Sequence, residues 1–169
     1  MSCSHFTTAR RSGRGNRRAK SGARFAADVD GAREMQMQSV EGGCFCGKVR
    51  YRAEGTPTNT MVCHCQSCRR VAASPVVAWL TFPRDKFKII AGNPTEFRSS
   101  APVRRTFCGA CGTQLTYAHR RHPDAIDVAT CSLDDPGLFP PTHHSWLSHD
   151  VAWLRFGDGL PSFQQSRTK

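Results

Sequence analysis

Seven of the nine cysteines stand in three clusters: Cys44-Phe45-Cys46, Cys63-His64-Cys65-Gln66-Ser67-Cys68 and Cys108-Gly109-Ala110-Cys111. Thiolates at such spacing suit a soft divalent metal, because one short loop can aim two sulfurs at one point. Seven ligands divide into one closed four-thiolate site and one three-thiolate site with a vacant coordination position. A closed site usually holds a fold together, whereas an open one can do chemistry. Cys108-x-x-Cys111-Gly112 is the strongest local motif, since the chain must turn sharply there and glycine tolerates the positive φ required. Cys44 and Cys46 can complete its ligand set. In extended chain, residues i and i+2 point to the same side. Cys63, Cys65 and Cys68 can meet one metal without outside help. Three thiolates around a dication carry one net negative charge, which limits Lewis acidity and favours thiolate exchange over water activation. Arg69 and Arg70 follow directly and offer positive charge for a substrate carboxylate.

These clusters need elements to hold them. From Val40 onward, short alternating or apolar runs recur about every ten residues, broken by Gly and Pro. Strands are expected over Lys48–Glu54, Pro75–Phe82, Lys86–Ile90, Glu96–Arg98, Arg104–Phe107, Thr113–Tyr117, Ile126–Ala129 and Val151–Phe156. One or two helical turns are expected around Cys65–Ala73. This is the texture of a mainly β domain, a sandwich or barrel with at most one or two short helices. A metal staple between the first strand and a hairpin more than sixty residues later helps a domain of this size, whose core is modest.

Other residues have simpler readings. His64 lies between two ligands, so alternation should turn its ring away from their metal. Cys3 and Cys131 read as ordinary thiols, and His143 and His144 as candidates for a fourth ligand or a proton shuttle. Trp79, Trp146 and Trp153 read as core or pocket wall. Asp134-Asp135-Pro136-Gly137 reads as a turn with its carboxylates in solvent.

The chain has 169 residues and a formal charge of +11. Residues 1–34 hold eight Lys/Arg against three acids; the rest hold 16 against ten. The body is therefore only moderately basic, which suits anionic small molecules as well as nucleic acid. Residues 1–34 read as a disordered basic tail, as sequence upstream of a true start at Met35 or Met37, or as an organelle transit segment. No apolar run is long enough to span a bilayer, and no secretory h-region is visible. A cytoplasmic, reducing location is expected, where clustered cysteines bind metal rather than form disulfides.

The stretches Gly42-Gly43-Cys44-Phe45-Cys46-Gly47-Lys48-Val49-Arg50-Tyr51, Cys63-His64-Cys65-Gln66-Ser67-Cys68-Arg69 and Phe107-Cys108-Gly109-Ala110-Cys111-Gly112-Thr113-Gln114-Leu115 resemble the glutathione-dependent formaldehyde-activating enzyme family, also called the CENP-V/GFA domain. His144, Trp146, Trp153 and Asp158-Gly159-Leu160-Pro161 extend the resemblance, which covers roughly residues 38–163. It implies an Mss4-like β fold with a structural zinc on Cys44, Cys46, Cys108 and Cys111. It further implies a second, catalytic zinc at Cys63, Cys65 and Cys68. The implied reaction is condensation of formaldehyde with glutathione, classed as a carbon–sulfur lyase. From its position beside the trio, Arg69 or Arg70 is expected to grip a glutathione carboxylate. Two other functions compete: a non-enzymatic zinc-stabilised binding module, with the basic tail reaching nucleic acid or an acidic protein, and a thiol redox or metal sensor acting through the open cluster.

Overall fold

The computed structural model describes residues 39–167, and the expectations for residues 1–34, Cys3 included, lie outside them. The described chain is mainly β, with ten strands and one short α-helix, α1 (Gln66–Ala72). The strands are β1 (Ser39–Gly43), β2 (Arg50–Glu54), β3 (Asn59–Cys63), β4 (Val77–Pro83), β5 (Phe87–Ala91), β6 (Thr95–Ser100), β7 (Val103–Phe107), β8 (Gln114–His119), β9 (Ala125–Ala129) and β10 (His144–Ser145). They form a three-stranded sheet, β1-β2-β5, and a seven-stranded sheet, β10-β3-β4-β9-β8-β7-β6. All pairings are antiparallel except β10 with β3.

The two sheets share one core. Val40, Tyr51 and Ala53 from the small sheet are clustered with Leu80, Phe82, Leu115, Ile126 and Val128 from the large one. Alternation selects these faces: along β4 and β9 the core residues are even-numbered, as period-2 geometry requires. Tyr51 is fully buried, and its hydroxyl is satisfied by Ser132 Oγ at 2.7 Å. The odd-numbered positions Trp79, Thr81, Asp127, Tyr117 and Arg105 emerge on the opposite face of the large sheet. That face carries a second cluster of Cys63, Cys68, Trp79 and Ala129.

Three strands arise where none was expected: β1, β3 and β10. The expected strand at Val151–Phe156 does not form. The backbone on either side of it pairs instead, with His144 N on Pro161 O, Phe163 N on His144 O and Trp146 N on Gln165 O. Residues 151–156 are therefore looped out, and Leu154 N returns to Val151 O in a turn. Trp153 is consequently 75% exposed rather than a core or wall residue. Asp134 and Asp135 are exposed, as expected of the turn, and Arg50 also pairs with both Asp134 oxygens at 2.7 and 2.5 Å. Asp135 Oδ1 accepts from Gly137 N at 3.0 Å. Among the described residues no helix is long and apolar enough to cross a membrane.

Candidate functional site

Four sulfurs come together from the loop after β1 and the loop after β7. Cys44 Sγ lies 3.5 Å from Cys46 Sγ, which lies 3.7 Å from Cys108 Sγ; all four, Cys111 included, fall within 4.8 Å of one another. A tetrahedron with metal–sulfur bonds of about 2.3 Å has edges of about 3.8 Å, so these sulfurs are already spaced for a thiolate-bound ion. Cys44 and Cys46 reach this point from a turn and not from the extended chain expected of them: Gly47 N donates to Cys44 O at 2.9 Å. The second loop repeats the device, with Gly112 N on Cys108 O at 2.8 Å. Gly47 (φ 74°) and Gly112 (φ 78°) occupy the left-handed region that permits these turns. Val49 N donates to Cys44 Sγ at 3.2 Å, and Thr113 Oγ1 sits 3.3 Å from Cys111 Sγ. The Thr113 hydroxyl, its amide and the Cys46 amide together pull the Cys111 thiol down to about 5.

The second cluster begins at the end of β3. Cys63 and Cys68 are buried, Cys65 is half-buried, and the three sulfurs lie within 4.8 Å of one another. Cys65 is the N-cap of α1, its sulfur accepting from Cys68 N at 3.3 Å. That cap turns Cys68 back toward Cys63. Hydrogen bonds from Cys63 and Cys68 pull the Cys65 thiol down to about 2, while the same contacts push Cys63 up. Each cluster thus favours a thiolate through its own contacts, and each could hold a metal ion.

The trio opens onto a cleft of about 910 Å³ on the outer face of the seven-stranded sheet. Trp79 and Tyr117 form its apolar floor, Trp146 a side wall. Arg105, Arg121 and Arg167 line it, with Asp127 as the one carboxylate among the described lining residues. Arg69 and Arg70 are not brought to this cleft. Arg69 Nε donates to His64 O at 3.1 Å, and Arg70 is exposed. The buried cation beside the sulfurs is instead Arg105, which sequence reasoning missed: its Nη2 lies 3.8 Å from Cys68 Sγ. Three of the residues lining the cleft carry a buried polar atom without a hydrogen-bond partner: Arg105 Nη1, His143 Nε2 and Ser145 Oγ.

His64 turns away from the sulfurs, as strand alternation predicts, into a chain of polar contacts that runs from two buried imidazoles to the surface. Its Nδ1 meets Asp150 Oδ1 at 3.0 Å, and its Nε2 meets His144 Nδ1 at 2.8 Å. His144 Nε2 in turn meets Asp158 Oδ2 at 2.9 Å. Neither His143 nor His144 joins a sulfur cluster among the described residues. The chain instead ties the segment bearing Cys63 and Cys65 to residues 144–158. The Asp158-Gly159-Leu160-Pro161 ending therefore anchors this chain of contacts, and Asp158 Oδ1 also accepts from Leu160 N at 3.1 Å.

Asp127 yields a direct prediction. Burial pushes its carboxyl up to about 6, against the opposing effects of the Thr81 hydroxyl, His122 and Arg105. Thr81 Oγ1 donates to it at 2.6 Å. A raised folded pKa means the associated stability is complete below the unfolded value near 3.8 and is lost as pH rises through about 6. Ionised Asp127 then costs at most about 3 kcal/mol at pH 7.5. Asp127→Asn keeps an acceptor for Thr81, so thermal unfolding should show a higher Tm than wild type at pH 7.5. The gain should vanish near pH 4. A lower Tm at both values would mean that Asp127 is held ionised.

The sequence profile described as glutathione-dependent formaldehyde-activating enzyme matches residues 39–149. Among curated proteins, a putative glutathione-dependent formaldehyde-activating enzyme of Halomonas elongata is 26% identical over 124 residues, covering 68% of this chain and 79% of its own length. An uncharacterized lyase of Schizosaccharomyces pombe is 30% identical over 83 residues, covering 49% of this chain; the chain spans only 60% of that relative's length. Among solved structures, a Rhodobacter sphaeroides protein aligns with a TM-score of 0.49 at 24% identity, over 59% of this chain and 91% of its own.

Proposed function

The chain belongs to the glutathione-dependent formaldehyde-activating enzyme family, and from that premise we propose that it joins a thiol to a small aldehyde. Glutathione and formaldehyde are the proposed pair, and S-hydroxymethylglutathione is the adduct; the reverse direction is a carbon–sulfur lyase reaction. The observation that carries this reading is the opening of Cys63, Cys65 and Cys68 onto a cleft large enough for a tripeptide and lined by three arginines.

The all-sulfur donor sets favour zinc. Cys44, Cys46, Cys108 and Cys111 would hold a structural ion, and Cys63, Cys65 and Cys68 a second one. When bound at the trio, that ion supplies the charge that keeps an added thiol deprotonated. The chain's own side chains do the rest. Arg121 and Arg167 at the cleft edge complement the two carboxylates of glutathione. Trp79 and Tyr117 form an apolar floor that excludes water. Burial, reinforced by the nearby Asp127 charge, pushes the Tyr117 phenol up to about 12, so it stays protonated and available as a donor. Holding sulfur and aldehyde side by side removes the entropic cost of a bimolecular encounter.

Exchange NMR on a mixture of formaldehyde and glutathione tests the reading. Protein with both clusters loaded should speed interconversion of free thiol and adduct well beyond the rate at equal thiol concentration. An unchanged exchange rate would reject this substrate pair.

A further inference from the structure

Arg105 lies on β7 in register with Tyr117, so alternation turns it onto the cleft face, while its neighbour Arg104 faces solvent. It is only 3% exposed. Its guanidinium is held on three sides. Nε donates to Ser99 Oγ at 3.1 Å, Cζ lies 4.8 Å over the Tyr117 ring, and Nη2 reaches Cys68 Sγ at 3.8 Å. No carboxylate forms an ion pair with it among the described residues. A buried cation without a counter-ion is costly. The sulfur trio would supply part of the compensation: three thiolates on a dication would leave one negative charge for Arg105 to balance. One donor remains unused: Arg105 lines the cleft, and its Nη1 is buried without a hydrogen-bond partner.

We propose that Arg105 is the anion-binding residue of the cleft, with Nη1 holding the oxygen that becomes negative during addition. This rests on the thiol–aldehyde reading above. In that step the thiol has already released its proton to solvent. Its sulfur lone pair forms the new carbon–sulfur bond, and the carbonyl π pair moves onto oxygen. The oxygen then takes a proton from water. A donor fixed before the reaction stabilises that oxygen without reorganising, which is where such groups act most strongly. Arg105 meets the geometric requirement: three contacts immobilise it, and its free donor belongs to the same planar group that touches Cys68. Arg121 and Arg167 are exposed and are better suited to remote carboxylates, where contacts are worth less.

Arg105→Gln and Arg105→Lys separate the outcomes. For Arg105→Gln, kcat should fall by about 10²–10³-fold while KM for the thiol moves little, as expected of an interaction made mainly in the transition state. Arg105→Lys, which keeps the charge but loses the rigid fork, should recover part of the rate. Metal content of both variants should equal that of wild type. An independent readout is calorimetric titration with formate, a planar one-carbon oxyanion: wild type should bind it, and Arg105→Gln at least tenfold more weakly. A rise in KM at constant kcat would make Arg105 a ground-state carboxylate clamp and overturn the assignment. Equal formate binding by wild type and Arg105→Gln would overturn it too, whatever the turnover. If wild type fails to accelerate adduct exchange yet loses formate binding with Arg105, the anion site stands and the substrate reading falls.

Discussion

Cys108→Ser should abolish cooperative folding, not merely lower the melting temperature. Cys108 is buried in the core shared by the two sheets, and its sulfur lies 3.7 Å from that of Cys46. It therefore takes part in the thiolate cluster and in the apolar core at once. A structural metal on four thiolates contributes about 10 kcal/mol or more to folding. Full burial of a Leu or Phe contributes about 1.5–3 kcal/mol, and net stabilities of single domains are about 5–15 kcal/mol. A metal held by these four sulfurs would therefore outweigh any single core contact and equal a large fraction of the whole. Circular dichroism on heating should show a broad, non-cooperative change for Cys108→Ser, and metal analysis should find the four-thiolate equivalent missing. Chelation of wild type should give the same unfolding curve. A sharp transition within a few degrees of wild type would mean that the cluster does not bind a structural ion.

That four-sulfur cluster is legible in the sequence because each half of it is local. A Cys-x-x-Cys-Gly turn and a Cys-x-Cys-Gly turn announce themselves within five residues, and the two loops resemble one another in their glycines. The sequence does not disclose the conformation around Cys44, which the Gly47 turn sets in place of extended chain. The central strands β4, β7, β8 and β9 are legible for a similar reason: alternation and the breaks at Pro83, Gly92 and Gly112 act over short range. β1 contains two glycines, and β10 spans two residues in a run of Thr, His and Ser. Neither has strand-like composition, so each exists because a neighbouring strand offers it a backbone partner. Val151–Phe156 fails in the opposite way. It has apolar content but no partner, since the flanking segments pair with one another across it.

The cleft is less legible than the clusters. Sequence proximity points to Arg69 and Arg70 as the positive charge beside the trio. The helical turn that brings Cys68 back to Cys63 carries those two side chains elsewhere, and the charge arrives from Arg105 on a strand 37 residues away. Only the sheet register, Arg105 opposite Tyr117 and Tyr117 opposite Asp127, assembles that row. The contacts among His64, His144, Asp150 and Asp158 are hidden for the same reason, because they span up to 86 residues. Motifs record ligands that one loop can present; residues gathered across a sheet leave no local trace.

Cys65→Ser is the substitution that best separates chemistry from architecture. Cys65 is both a member of the trio and the N-cap of α1. Serine is among the preferred N-cap residues, so its hydroxyl can replace the sulfur as acceptor for Cys68 N and keep the helix in place. As a neutral oxygen donor, however, serine is a poor ligand for a soft, thiolate-bound ion. The variant should therefore unfold cooperatively within about 1–2 kcal/mol of wild type, because the cap survives and the four-thiolate staple is untouched. Its metal content should fall by one equivalent. On the proposed mechanism, loss of the charge that would activate the thiol removes several kcal/mol of stabilisation, so acceleration of the glutathione–formaldehyde exchange should fall by about 10³-fold or more. Calorimetric unfolding, metal stoichiometry and exchange NMR on one preparation would read all three effects. Full acceleration with one metal equivalent gone would place the chemistry away from the trio. A collapsed fold would make the trio structural, and the division of labour between the two sulfur clusters would have to be abandoned.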